Sequence, residues 1–308
     1  MNNSKFTGHL SLFVANLIFG LNNPIASMLM PEVIHPMALT FLRFSGGLVL
    51  FWLASFFMKS EKVSSKDKFL LAVASFFALV LNQIPFFYGL SLTSPIDASI
   101  VVTMLPIATM LLSAIILREP ITQLKVIGVL VGASGALLVV FSSHQVEGGQ
   151  GNMLGNLIVF LAVISFGLYL TLFKNLISRY HPVTVMKWMF LFATVFGLPF
   201  CYKAVAATDV TLFSSTDWLS IGFVVVFATF FGYLLIPIGQ KTLRPTTLSM
   251  YNYMQPVVAS LVAIVWGIDK FGYQQALAGL LVFAGVYIVT QSKSRAQLEA
   301  ERHISQIQ

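Results

Sequence analysis

The chain has 308 residues, of which 57% are hydrophobic and 9% charged, with 28 Phe. Soluble domains carry roughly 25% charged residues, so this composition points to a membrane protein. The net charge of +7 lies in short loops between apolar runs and reads as a topology signal rather than a nucleic-acid footprint. The single cysteine, Cys201, excludes an internal disulfide framework and any multi-cysteine metal site.

In chain order, ten apolar spans are predicted at 8–30, 35–58, 67–90, 95–117, 122–141, 153–177, 182–203, 216–239, 245–268 and 273–292. A helix of about 20 residues crosses a hydrocarbon core of roughly 30 Å. Helix is the state that satisfies every backbone group inside such a span; tilted barrel strands would be about half as long. The first span is too long for a signal-peptide core, and no convincing small-residue cleavage site follows it. With a cytoplasmic N-terminus, fourteen of the 18 Lys and Arg fall inside, from Lys5 to Arg302. Only Lys203 and Lys270 fall outside, and Arg43 and Lys187 lie within spans. The positive-inside rule therefore expects both termini in the cytoplasm, in a multi-pass protein of the cell (inner) membrane.

The second half repeats the first. Gly8, Leu10, Phe13, Ala15, Phe19, Gly20 and Leu21 return 147 residues later, from Gly155 to Leu168, and His35-Pro36 returns as His181-Pro182. Gly89, Pro95, Ser99, Met104, Pro106, Leu111 and Gly135 return 150 residues later, from Gly239 to Gly285. Each half holds five spans, an odd number, so the second copy enters the membrane from the opposite side. Inverted repeats with a site at their interface are a transporter signature. The expected organisation is a repeat over 8–141, a linker over 142–152 with Gly148, Gly149 and Gly151 outside, a repeat over 153–292, and a polar cytoplasmic tail over 293–308.

Phe19-Gly20-Leu21-Asn22, the segment HPMALTFLRF from His35 to Phe44, residues 88–122 with Pro106 and Glu119, and their counterparts with Pro256 and Asp269 together resemble the EamA-like family of the drug/metabolite transporter superfamily. No one of these motifs is specific; the ordered set, placed twice over about residues 8–292, is. The resemblance implies an all-α integral membrane protein with ten helices in two inverted five-helix repeats around a central cavity. It also implies export or exchange of small organic solutes, with amino acids and related amines as common cargo. Lys187 departs from the pattern. It stands near the place of Arg43 but two residues out of register, about 200° around a helix.

Transport needs a polar path inside an apolar body, so polar residues within spans are the candidates. Arg43 reads either as a donor for a substrate carboxylate or as a clamp on backbone carbonyls. Lys187 is shallower and can snorkel. Asn16 and Asn23, two turns apart with Gly20 between them, form a polar stripe that lines a cavity or glues helices. Asn82 and Gln83, Ser99 and Thr103, and Asn252 and Gln255 pose the same choice. Tyr169, Trp188 and Tyr233 stack on cargo or pack in the core. Pro106 and Pro256 each remove a helix donor, and paired breaks in two repeats point to a transport site or gate, the rival being ordinary packing kinks. Glu119 and Asp269, at span ends, cap or pair locally.

No Asp or Glu lies near the middle of a span, and the five His fall near interfaces or in the tail, which leans toward facilitated transport or exchange, or toward coupling through a group the sequence does not mark. No phosphate loop, dinucleotide fingerprint or HExxH motif is present, and no cofactor or metal is expected. The leading reading is a secondary carrier for a small organic solute, not an enzyme, with the lipid bilayer as its surround, no nucleic acid, and no indication of oligomeric state. The alternatives are an intramembrane enzyme or a sensory membrane subunit.

Overall fold

The computed structural model describes residues 3–93, 95–142, 152–266, 273–293 and 297. Residues 143–151 of the expected linker (142–152), Asp269 and the tail beyond residue 293 lie outside these, Gln297 excepted. The described residues form helices and no strand: α1 (Asn3–Leu29), α2 (Pro36–Phe56), α3 (Ser65–Ser75), α4 (Leu81–Leu90), α5 (Pro95–Val102), α6 (Leu105–Ile116), α7 (Gln123–Ser142), α8 (Met153–Leu172), α9 (Lys174–Arg179), α10 (Pro182–Ala206), α11 (Ser215–Gly222), α12 (Gly232–Thr242), α13 (Pro245–Met250), α14 (Met254–Val265) and α15 (Tyr273–Gln291). Two π-helical stretches, Phe76–Val80 and Phe223–Phe231, join α3 to α4 and α11 to α12 without a loop. Seven helical stretches are long and apolar enough to cross a membrane, and Gln123–Leu138 and Ala276–Gln291 are shorter apolar helices. The span expected over 245–268 is interrupted by a 3₁₀ turn at Tyr251–Tyr253.

Local chemistry sets several of these boundaries. The repeated His-Pro pair starts a helix both times. His35 Nδ1 accepts from Met37 N at 3.2 Å and His181 Nδ1 from Val183 N at 3.3 Å, while Pro36 and Pro182 occupy the first turn, where a missing N–H costs nothing. Ser64 caps α3, and Ser214 with Asp217 closes a capping box on α11.

Packing follows small residues. The helices α7 and α15 pack along one another where a Cβ on Gly285 would meet Gly132 N at 2.5 Å and Gly128 O at 2.6 Å. Only glycine permits that approach. Likewise α2 packs on α10 reciprocally, with Phe190 filling the space over Gly47 and Phe44 the space over Gly197. The helix α4 lies on α8, and α1 on α12 and α14, while α8 also contacts α6. One large buried cluster, from Leu12 to Val289, runs through the middle of the bundle, and a smaller one joins Ala26, Leu29 and Leu39 to Ile221 and Val224.

Candidate functional site

Arg43 sits on α2, about 10 Å along the axis from Pro36 at 1.5 Å per residue. It is half-buried. Its Nε donates to Thr229 Oγ1 at 3.2 Å, and its side chain also reaches the Tyr233 hydroxyl. Thr229 is held in place because its own hydroxyl donates to Val224 O at 2.9 Å, five residues back across the π-helical stretch. Among the described residues, the ion pairs are Lys125–Glu119 and Arg179–Asp67, so Arg43 is matched by hydroxyls and not by a carboxylate. A guanidinium in such a setting is a preorganised receptor for an anionic group.

Gln83 on α4 completes this centre. Its Nε2 donates to Tyr233 Oη at 2.7 Å, and its Oε1, also buried, finds no partner among the described residues. Phe19 and Phe190 each meet the Tyr233 ring edge-to-face, at centroid distances of 5.5 and 5.4 Å. Gln83 and Tyr233 are 150 residues apart, the offset of the sequence repeat.

One turn from Phe19, Asn16 carries the polar surface onward along α1. It is fully buried, donates to Leu12 O at 2.8 Å and accepts from Gln255 Nε2 at 2.9 Å, and Gln255 lies 3.4 Å from Asn252 Oδ1. Asn23 does not join it but is exposed. The buried face of α1 turns from Leu12, Ala15 and Asn16 to Asn22, Ala26 and Leu29 as its partner changes from α14 to the α11 end, and this splits the expected stripe.

Both expected helix breaks are present. The chain turns at Thr103–Met104 between α5 and α6, just before Pro106, and at Tyr251–Tyr253 before α14, just before Pro256. The first break frees the Thr103 carbonyl, which accepts the Tyr253 hydroxyl at 2.9 Å, again across 150 residues. The remaining candidates scatter. Asn82 donates to Ala162 O at 3.0 Å, joining α4 to α8. Tyr169 is buried and stacked on Phe166 at 5.7 Å, and Ser99 is exposed on α5. Lys187 lies over the Trp52 ring at 5.3 Å, and Trp188 meets Trp52 edge-on at 5.7 Å, away from the Arg43 centre.

At the bundle periphery, Glu119 pairs with the buried Lys125 at 2.9 Å, as its place at a span end suggests. Arg244 caps α15 through Ser292 O at 2.7 Å. Burial pulls the Arg244 guanidinium below its usual range, and the Glu119 carboxylate opposes that shift. The Tyr180 hydroxyl, donating to Asp67 at 2.6 Å, is held above the usual phenol range chiefly by that bond.

The residues that sequence reasoning missed are Thr229, held by the π-helical stretch, and Phe19 and Phe190, which pack on the Tyr233 ring. An apolar run such as FVVVFATFF carries no mark of a π-helix, because i−5 and i−4 bonding place the same residue types on the same apolar surface.

The family model of the EamA-like transporter family matches residues 6–141 and again residues 153–291. The chain belongs to the EamA-like transporter family. It is 24% identical to an uncharacterized transporter of Bacillus subtilis, YetK, over 93% of this chain and 88% of that one. It is 26% identical to an uncharacterized transporter of Archaeoglobus fulgidus, over 84% and 90% of the two chains. A Streptantibioticus cattleyicolor protein named "Probable terminal-alkyne amino-acid exporter" is 28% identical over 66% of each chain. A solved crystal structure superposes with a TM-score of 0.76 at 18% identity, covering 94% of this chain and 98% of its own. This EamA-like chain is accordingly a multi-pass membrane transporter with an all-helical fold.

Proposed function

We propose that the protein is a secondary carrier that exports or exchanges small organic metabolites, amino acids and related amines foremost, by alternating access through a central cavity. The observation that carries this reading is Arg43, half-buried within the bundle and matched by hydroxyls rather than a carboxylate. A solute carboxylate supplies the missing counter-charge, Gln83 and Tyr233 offer further hydrogen bonds, and the partly exposed Phe19 ring favours small apolar side chains. The amino-acid exporter among its relatives supports this solute class. Ten helices in two inverted five-helix repeats, 8–141 and 153–292, are the architecture we assign. The double family match, the paired breaks and the two hydrogen bonds that join residues 150 apart support it. Both termini are assigned to the cytoplasm, with the chain in the cell membrane.

Flux into proteoliposomes tests the function. Purified protein should move radiolabelled small neutral amino acids down their gradient, and unlabelled amino acid on the far side should speed the movement if exchange operates. Absence of flux across a panel of amino acids and their amines would remove the cargo assignment.

A further inference from the structure

We propose that α2, α3 and α10 form a seat for an anionic phospholipid, its phosphate on the ammonium groups of Lys68 and Lys187 and its acyl chain along the aromatic strip of α10. Two indoles organise the seat. Trp52 and Trp188 meet edge-on at 5.7 Å, Lys187 Nζ lies 5.3 Å from the Trp52 ring centroid, and Lys68 Nζ lies 4.6 Å from that of Trp188. Each ammonium is therefore placed by a ring face, which leaves donors pointing away from the ring.

The neighbouring carboxylates are already committed. Asp67 takes the Tyr180 hydroxyl at 2.6 Å and Arg179 at 3.3 Å, and Glu61 accepts from His181 N at 3.0 Å. Among the described residues neither ammonium forms an ion pair, so two cations stand beside one aromatic pair and a phosphate is the complement. From the same level Trp188, Phe192 and Phe196 stack at 6.1 and 6.2 Å, one turn apart on α10, with Phe76 edge-on to Phe196 at 6.3 Å. Phe69 is 68% exposed and Phe196 36%. A soluble anion has no use for this apolar wall; an acyl chain does. The seat requires only that the chain is embedded in a membrane, and the orientation proposed above decides merely which leaflet supplies the lipid.

The test is native mass spectrometry of delipidated, detergent-solubilised full-length protein titrated with phosphatidylglycerol or phosphatidylcholine. Wild type should retain phosphatidylglycerol in preference. The double variant Lys68→Gln/Lys187→Gln should lose about thirtyfold in phosphatidylglycerol affinity, from the attraction expected per basic residue, with phosphatidylcholine binding and melting temperature unchanged. If the double variant fails to fold, each single variant should lose about fivefold. Equal retention of the two lipids by wild type overturns the proposal, as does a folded variant that keeps full phosphatidylglycerol preference. Displacement of the lipid by millimolar inorganic phosphate would reassign the seat to a soluble anion and likewise overturn it. Because binding and not flux is read, a failed carrier assignment leaves this result intact.

Discussion

Arg43 and Lys125 show two opposite ways of keeping a cation within a helical bundle. Arg43 rests on hydroxyls that have other partners, since Thr229 still donates to Val224 O if the guanidinium leaves. Arg43→Gln should therefore melt close to wild type. It should cut flux at subsaturating solute by about 10- to 100-fold, the worth of a hydrogen bond to a charged group. Arg43→Lys should recover only part, because a point charge does not reproduce a planar fork. A large loss of folded Arg43→Gln protein would instead mark a structural clamp. Lys125 is 1% exposed and depends on Glu119. Glu119→Gln leaves that ammonium buried and unpaired, at a cost of about 3 kcal/mol. Its melting temperature should fall clearly, and Lys125→Met added to it should restore most of the loss. Wild-type melting of Glu119→Gln would show that Lys125 finds water or other partners.

Among the elements, the interrupted helices were legible because proline states its backbone consequence in the sequence, and the breaks do fall just before Pro106 and Pro256. The structure adds how the first break is used. Pro106 is the second residue of α6, where its N–H would lack a helical partner anyway, and the opened turn offers the Thr103 carbonyl to Tyr253. Pro106→Ala therefore gains a hydrogen bond only if α5 and α6 fuse, which would draw Thr103 away from Tyr253. The expected outcome is unchanged or raised stability with slower transport. Pro256→Ala should act on the opposite gate if the two repeats are inverted. A cysteine at Asn252, beside Gln255 in the polar cluster, should after replacement of Cys201 lose accessibility from one side in the first variant and from the other side in the second. Wild-type rates with unchanged labelling in both would reduce the breaks to packing. The π-helical stretches were not legible, since their signature lies in i−5 bonding and the apolar pattern is blind to it.

For the molecule as a whole, long apolar runs and a repeat spaced 147 to 150 residues carried the class and the family, because membrane helices must be apolar along their length and a duplicated unit keeps its glycines where helices cross. The site was legible only in part. Arg43, Tyr233, Asn16 and Gln255 fall in the centre of the bundle, whereas Lys187 and Trp188 are drawn to Trp52 by a contact between distant spans that no local pattern announces. Orientation remains an expectation from the Lys and Arg distribution, and it can be tested directly. Lys59, Lys62, Lys66 and Lys68 crowd the α2–α3 end of the bundle, while the connection between α10 and α11 carries Asp209. Asp209 sits in a polar turn, where hydrogen bonds from Thr211 hold its carboxyl below the usual range and so charged at neutral pH. Moving four lysines across a membrane is opposed by the same bias that sets topology, so the α2–α3 connection should stay inside. In a Cys201→Ala background, Gly149→Cys and Thr208→Cys should react with an impermeant maleimide added to intact cells, and Ser60→Cys should react only after the membrane is opened. Cys201 is buried, so its removal should not disturb the labelled surfaces. Labelling of Ser60→Cys in intact cells, with Gly149→Cys protected, would invert the assigned topology and with it the direction in which the carrier faces its solute.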